Sequence, residues 1–179
     1  KQFEKAFLLS AGTEATEVAL KLMRMDGQKK NKKRGGIVCF NGAYHGRTMG
    51  AQIMTGNKKA KDWVGYQDPN MHHIEFPYPW LVSNPKEFFN NSINHLLEES
   101  NLDPDEDLCG FMLEAFQGWG SVFYPKEFVK ELMIFAKKHN MLVAFDEMQA
   151  GFGRTGKLFG YEHYEIEPDI LCCGKGASS

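Results

Sequence analysis

The sequence predicts an α/β fold, a three-layer α/β/α arrangement around a mostly parallel sheet. Three features lead there. Short, near-continuous apolar runs such as Gly36–Phe40 and residues 111–114 and 141–145 read as strands buried on both faces. Amphipathic stretches of ten or more residues separate them, long enough for the crossover helices a parallel sheet needs. No repeat or break in composition divides the 179 residues, which suits one domain or one large piece of a bigger one.

Taken in order, residues 6–9 are expected to form a strand. From Glu14 onward Ala15, Val18, Ala19, Leu22 and Met23 recur at i, i+3, i+4, i+7 and i+8, which places them on one helical face. Residues 29–34 form a basic loop, read as a solvated turn in preference to an anion-binding patch. Gly36–Phe40 is the second strand, and residues 51–55 and 71–76 read as weaker ones. Pro77, Pro79 and Pro85 surround a loop, after which a helix buries Phe88, Phe89, Ile93, Leu96 and Leu97. Beyond an acidic, turn-rich connection at 101–107 come a strand at 111–114 and a helix at 126–139 with Phe128, Val129, Leu132, Met133 and Ala136 inward. A strand at 141–145 runs into Asp146-Glu147, and one at 169–173 runs into Gly174-Lys175-Gly176.

Composition excludes several classes. With 42% hydrophobic residues the chain is neither disordered nor fibrous. Lys and Arg number 21 against 23 Asp and Glu, a net charge of −2 that gives no broad grip on nucleic acid or anionic lipid. No apolar run approaches the roughly 20 residues that span a bilayer. Cys39, Cys109, Cys172 and Cys173 show no CxxC spacing and read as buried reduced thiols, from which a cytoplasmic address is expected. The chain begins at Lys1 without Met and stops just after a glycine-rich turn, so both ends are expected to be cut from something longer.

Ligands of open α/β sheets bind beyond the carboxyl ends of the strands. Those ends carry Ser10-Ala11-Gly12-Thr13, Asn41-Gly42-Ala43-Tyr44-His45-Gly46, Glu114, Asp146-Glu147-Met148-Gln149 and Gly174-Lys175-Gly176. Each has a plain alternative. Thr13 could only cap its helix, Tyr44 could be a core aromatic, His45 a satisfied loop histidine, and Asp146 with Lys175 a simple ion pair. Taken together they suit one chemistry. Gly12 and Thr13 open a helix, whose free N–H groups and positive dipole end favour a phosphate, although Glu14 in the first turn slightly discourages one. Asp146 sits at the mouth of a buried strand and needs a partner. Lys175 is placed where desolvation would lower its pKa and free its amine as a nucleophile. A phosphate cradle, a ring to stack on, a carboxylate for a ring nitrogen and an amine for an imine are the protein side of pyridoxal phosphate.

With these motifs the sequence resembles the class III aminotransferases, pyridoxal phosphate enzymes of fold type I. The most specific stretch is Phe145-Asp146-Glu147-Met148-Gln149-Ala150-Gly151-Phe152-Gly153-Arg154-Thr155-Gly156, followed by Lys175, together with Asn41-Gly42-Ala43-Tyr44-His45-Gly46-Arg47-Thr48. The resemblance implies a transaminase that moves an amino group from an amine or ω-amino acid donor to a 2-keto acid. It implies that the backbone and hydroxyl at Gly12 and Thr13 hold the phosphate and that Tyr44 stacks on the pyridine with His45 beside it. Asp146 pairs with the ring nitrogen, Gln149 reaches the phenolic oxygen, Glu114 orders that network, and Lys175 forms the Schiff base. It further implies that residues 1–179 are the core of a large cofactor-binding domain, with small-domain segments outside this chain, in a homodimer that shares its active sites.

One departure stands out. The ornithine- and 4-aminobutyrate-type members carry a second glutamate that shields a substrate-binding arginine. Here the stretch reads Glu114-Ala115-Phe116-Gln117-Gly118-Trp119-Gly120-Ser121, with Trp119 in that place. An indole cannot mask a guanidinium, so Trp119 is expected to shape an apolar pocket suited to an amine or ω-amino acid donor and a small keto acid acceptor. Decarboxylases of dialkylated amino acids, racemases and aminomutases share the lysine and aspartate and remain alternatives. A nucleotide-binding Rossmann domain would need a GxGxxG turn, which Gly12-Thr13-Glu14 does not supply. A non-catalytic relative would tolerate loss of Lys175 or Asp146, and both are present.

Overall fold

The structure is a computed structural model and describes residues 2–178. Among the described residues seven strands and four α-helices follow one another as α1 (Gly12–Lys29), β1 (Gly36–Phe40), α2 (Met49–Met54), β2 (Met71–Ile74), α3 (Pro85–Ser100), β3 (Leu108–Glu114), β4 (Phe116–Gln117), β5 (Val122–Phe123), α4 (Lys126–Lys138), β6 (Leu142–Asp146) and β7 (Ile170–Cys172). Five strands form one sheet in the order β2-β1-β3-β6-β7, and every pairing in it is parallel. β4 and β5 make a separate antiparallel hairpin.

Strand alternation divides the core into two layers. Ile37 and Cys39 of β1 pack with Ala19, Leu20 and Met23 of α1 on one face. Val38 and Phe40 point the other way, into the layer under α3 and α4 with Phe89, Ile93, Phe128 and Leu132. A bulge where Gly36 pairs with Leu108 but Ile37 with Gly110 resets β3, so that Phe111 and Leu113 keep to the α3/α4 side. That side is aromatic: the Phe89 and Phe128 rings meet edge-on at 5.3 Å, and Phe40 meets Tyr124 at 5.1 Å. The three-layer α/β/α class read from the sequence is the one observed.

Local signals set the helix ends. The Asn84 side chain accepts the Glu87 N–H at 3.2 Å with Pro85 as the first helical residue of α3, and Asn101 ends it in the left-handed conformation. α4 has Glu127 in its first turn and Lys137 and Lys138 in its last, as its dipole prefers. Among the described residues no helix is long and apolar enough to cross a membrane.

Some expectations fail. Residues 6–9 form no strand: they run outside both sheets, with Leu8 98% exposed, because a β-prone run needs an edge to pair with and none takes this one. The segment is tethered further upstream, where Gln2 bonds Pro168 O and Tyr161 Oη. Residues 51–55 belong mostly to α2; a run this short carries no decisive period, and Ala51, Gln52 and Met54 bury themselves as a turn of helix. The buried stripe of α1 is Thr16, Ala19, Leu20, Met23 and Gly27, while Ala15, Val18 and Leu22 are half-buried. Thr16 can lie inside because its hydroxyl donates to His45 O at 2.7 Å. Cys39, Cys109 and Cys172 are buried thiols, but Cys173 is exposed.

Candidate active site

A parallel sheet delivers all its carboxyl ends to one edge. At that edge a cavity of ≈ 300 Å³ is lined by Gly12, Thr13, Tyr44, His45, Glu114, Asp146, Gln149 and Lys175, the eight residues singled out in the sequence for the cofactor. They come from five separate segments: the start of α1, the turn after β1, and the ends of β3, β6 and β7. Trp119 does not line it. It faces a neighbouring cavity of ≈ 770 Å³, which shares Tyr44 and Arg47 with the first.

Asp146 ends β6 and is 4% exposed. One carboxylate oxygen lies 2.9 Å from His45 Nδ1 and the other accepts the Met148 N–H at 3.0 Å. A buried carboxylate needs such donors, and the two fix its orientation. His45 is itself clamped: its N–H donates to Thr55 Oγ1 at 3.0 Å, and its carbonyl accepts from Thr16. Its Nε2 is buried without a hydrogen-bond partner. A proton on Nδ1 satisfies Asp146.

Glu114, the last residue of β3, accepts N–H bonds from Tyr44 and Gly118, each at 3.2 Å. Burial pushes its carboxyl up to about 7; the Asp146 charge adds to this, while His45 and the two N–H groups oppose it. The sign for stability follows. Between the ordinary value of 4.5 and about 7 the unfolded chain releases this proton and the folded chain keeps it, so stability falls as pH rises through that window. The fall is at most about 3 kcal/mol. Glu114→Gln is expected to flatten this part of the profile, measured as denaturation midpoint against pH; an unchanged slope would place the ionisation elsewhere.

The start of α1 differs from the expectation in one respect. Thr48 gives its hydroxyl proton to Glu17 at 2.6 Å, so the 2.7 Å contact between Thr13 Oγ1 and Thr48 Oγ1 must use the proton of Thr13. The Thr13 oxygen also accepts the Thr48 N–H. Its hydroxyl is therefore engaged, and the helix offers an anion the backbone N–H groups of its first turn. Glu14 turns back to accept from the N–H groups of Ser10 and Ala11.

Lys175 follows β7 with φ of 44°, a left-handed conformation uncommon for a residue with a side chain. It is exposed on the rim. Glu147, read with the rim acids, instead points into the scaffold, where its carboxylate accepts from the N–H groups of Gly160 and Tyr161 at 2.8 and 2.7 Å. Gln149 approaches so closely that a Cβ on Gly118 would lie 2.2 Å from its Oε1, so position 118 admits only glycine without displacing it.

Gly46, Arg47 and Met148 also line the cavity. Gly46 and Arg47 had a signal, lying in the Tyr44-His45-Gly46-Arg47-Thr48 run, and Met148 lies in the Asp146 run. The clamps Thr16 and Thr55 had none, since an isolated threonine says nothing of its tertiary partner.

The chain matches known proteins over nearly its whole length. The chain is 35% identical over 178 residues to an acetylornithine/succinyldiaminopimelate aminotransferase of Buchnera aphidicola, covering 98% of this chain and 39% of that one. It is 38% identical to a [LysW]-aminoadipate semialdehyde/glutamate semialdehyde transaminase of Sulfolobus acidocaldarius, covering 97% and 39%. It thus spans about two fifths of the length of these curated relatives. Among solved structures, a Bacillus anthracis aminotransferase superposes with a TM-score of 0.84 at 27% identity, covering 95% of this chain and 39% of that one. An amine transaminase from an uncultivated Pseudomonas species, solved with pyridoxal phosphate bound, gives 0.81 at 28%, covering 94% and 39%. The family model for class III aminotransferases matches residues 1–179, and the chain belongs to that family.

Proposed function

We infer that the complete protein is a pyridoxal-phosphate-dependent aminotransferase and that this chain is the core of its large cofactor-binding domain. The observation that carries this is the convergence of eight rim residues from five segments on one cavity. The relatives named as aminotransferases support it.

The donor set fits the cofactor: an oriented carboxylate, a ring on the wall, a helix start and an amine. When bound, pyridoxal phosphate supplies an aldehyde that takes up amines and a ring that withdraws electrons from the bond being broken. Lys175 Nζ would hold the cofactor covalently, give way to the substrate amine, and then move the proton to and from the substrate carbon. Asp146 would hold the proton on the ring nitrogen, its own position set by His45 Nδ1 and Met148 N. Tyr44 would cover one ring face, Gln149 would meet the phenolic oxygen, and the N–H groups of Gly12 and Thr13 would face the phosphate.

A homodimer with shared active sites is part of the same proposal. The exposed side chains of Trp63, Tyr66, Trp80 and Leu81 support it as apolar surface for a second copy to cover. The four thiols, none in a disulfide, suit a reducing compartment, and a cytoplasmic address is proposed with them.

For substrates we assign an amine or ω-amino acid donor and a small 2-keto acid acceptor, on the strength of Trp119 beside Tyr44 and Tyr78 in the second cavity. The test is pyridoxal phosphate uptake by the full-length protein, read as visible absorbance, followed by assays with two acceptors. Pyruvate is expected to exceed 2-oxoglutarate in kcat/KM by about tenfold, the scale on which an apolar wall discriminates. A protein that takes up no cofactor overturns the reading; a strong 2-oxoglutarate preference overturns the part assigned to Trp119.

A further inference from the structure

Trp119 stands at the tip of the β4–β5 hairpin, 68% exposed, where an unsupported indole would sample many rotamers and select little. It is not unsupported. Its Nε1 donates to Gln117 Oε1 at 2.8 Å, and the same oxygen receives Tyr78 Oη at 3.4 Å. Gln117 is completely buried, and its Nε2 donates to Asn41 O at 2.6 Å, at the start of the turn that carries Tyr44. That turn is pressed against the amide: Gly42 has φ of +82°, and a Cβ there would lie 3.1 Å from the Gln117 nitrogen.

We propose that Gln117 is the positioning residue for substrate selection: one buried amide fixes the Trp119 ring relative to the Tyr44 turn, across the mouth of the second cavity. A side-chain amide suits this task because it donates and accepts at once, so a single group ties the hairpin to the sheet edge. The bonds are part-buried, where an unmade partner is costly, and this keeps the indole in one orientation. The inference rests on the aminotransferase reading and adds to it the residue through which Trp119 acts.

The experiment uses the full-length protein with pyridoxal phosphate. Gln117→Met removes the acceptor and the link to Asn41, and Trp119→Phe keeps a ring but removes the donor. Each is expected to shift the pyruvate to 2-oxoglutarate ratio of kcat/KM by about three- to tenfold in the same direction, mainly through KM, as loss of the Trp119–Gln117 hydrogen bond common to both allows. The double variant should shift it no further than either single one. Cofactor absorbance should stay that of the wild type in Gln117→Met. Independent effects that multiply in the double variant overturn the proposal. So does an equal loss on both acceptors in Gln117→Met, which is the mark of a purely structural residue. If Gln117→Met does not fold, an unchanged ratio in Trp119→Phe overturns it alone. A wild-type protein that neither loads cofactor nor transaminates takes down the aminotransferase reading and this inference together, whereas one that does both while the ratio stays fixed takes down only the inference.

Discussion

Lys175→Ala in the full-length protein is expected to lower turnover by about 10⁴-fold or more, because in the proposed function one side chain would serve both as covalent anchor and as general base. Cofactor should still enter, held by Asp146 and the α1 backbone, but should wash out on dialysis. Small primary amines added to the assay should restore part of the rate, more so as their basicity rises, because proton transfer follows Brønsted behaviour. Spectra of bound cofactor before and after dialysis, with rates against amine pKa, check this. A variant that keeps both its rate and its cofactor through dialysis would place the anchor on another lysine.

Asp146→Asn is expected to leave cofactor uptake within about tenfold while turnover drops by roughly 10²–10⁴. Charge is the first reason, since a neutral amide does not hold a proton on a ring nitrogen as a carboxylate does. Geometry supplies the second. Both carboxylate oxygens accept, one from His45 Nδ1 and the other from Met148 N. An asparagine can present only one oxygen, so its NH₂ must face one of these donors. If it faces His45, the imidazole has to move its proton to Nε2, the buried atom with no partner. Uptake titrations with single-turnover rates separate the two quantities, and near-normal turnover would show that the pair is misassigned.

The rim was legible in the sequence because one rule of topology does most of the placing. Once strands 36–40, 108–114, 142–146 and 170–172 are known to be parallel, the residues that follow them share an edge whatever else the chain does. Asp146 and Lys175 needed only that rule. Residues 6–9 show where it stops, since strand-forming composition does not say whether a neighbour is present. Thr16, Thr55 and Gln117 show a second gap. Their functions lie in bonds to His45 and Asn41, 29, 10 and 76 positions away, and no local period encodes a partner at that distance. Thr13 shows a third: its residue type suited a phosphate, while its proton had already gone to Thr48.

The contact between His45 and Asp146 closes 101 positions of chain. Long-range contacts of this kind are slow to form, because loop entropy is lost before the contacts that offset it are made. The rim cavity therefore exists only once nearly the whole sheet has been assembled, and a cofactor held there as proposed, a ligand of the native state alone, would pull the folding equilibrium towards it. A weakened core far from the rim, in Phe89 or Phe128 for example, would then present itself as poor cofactor retention and would be mended by an excess of the vitamin, whereas a lost Lys175 would not.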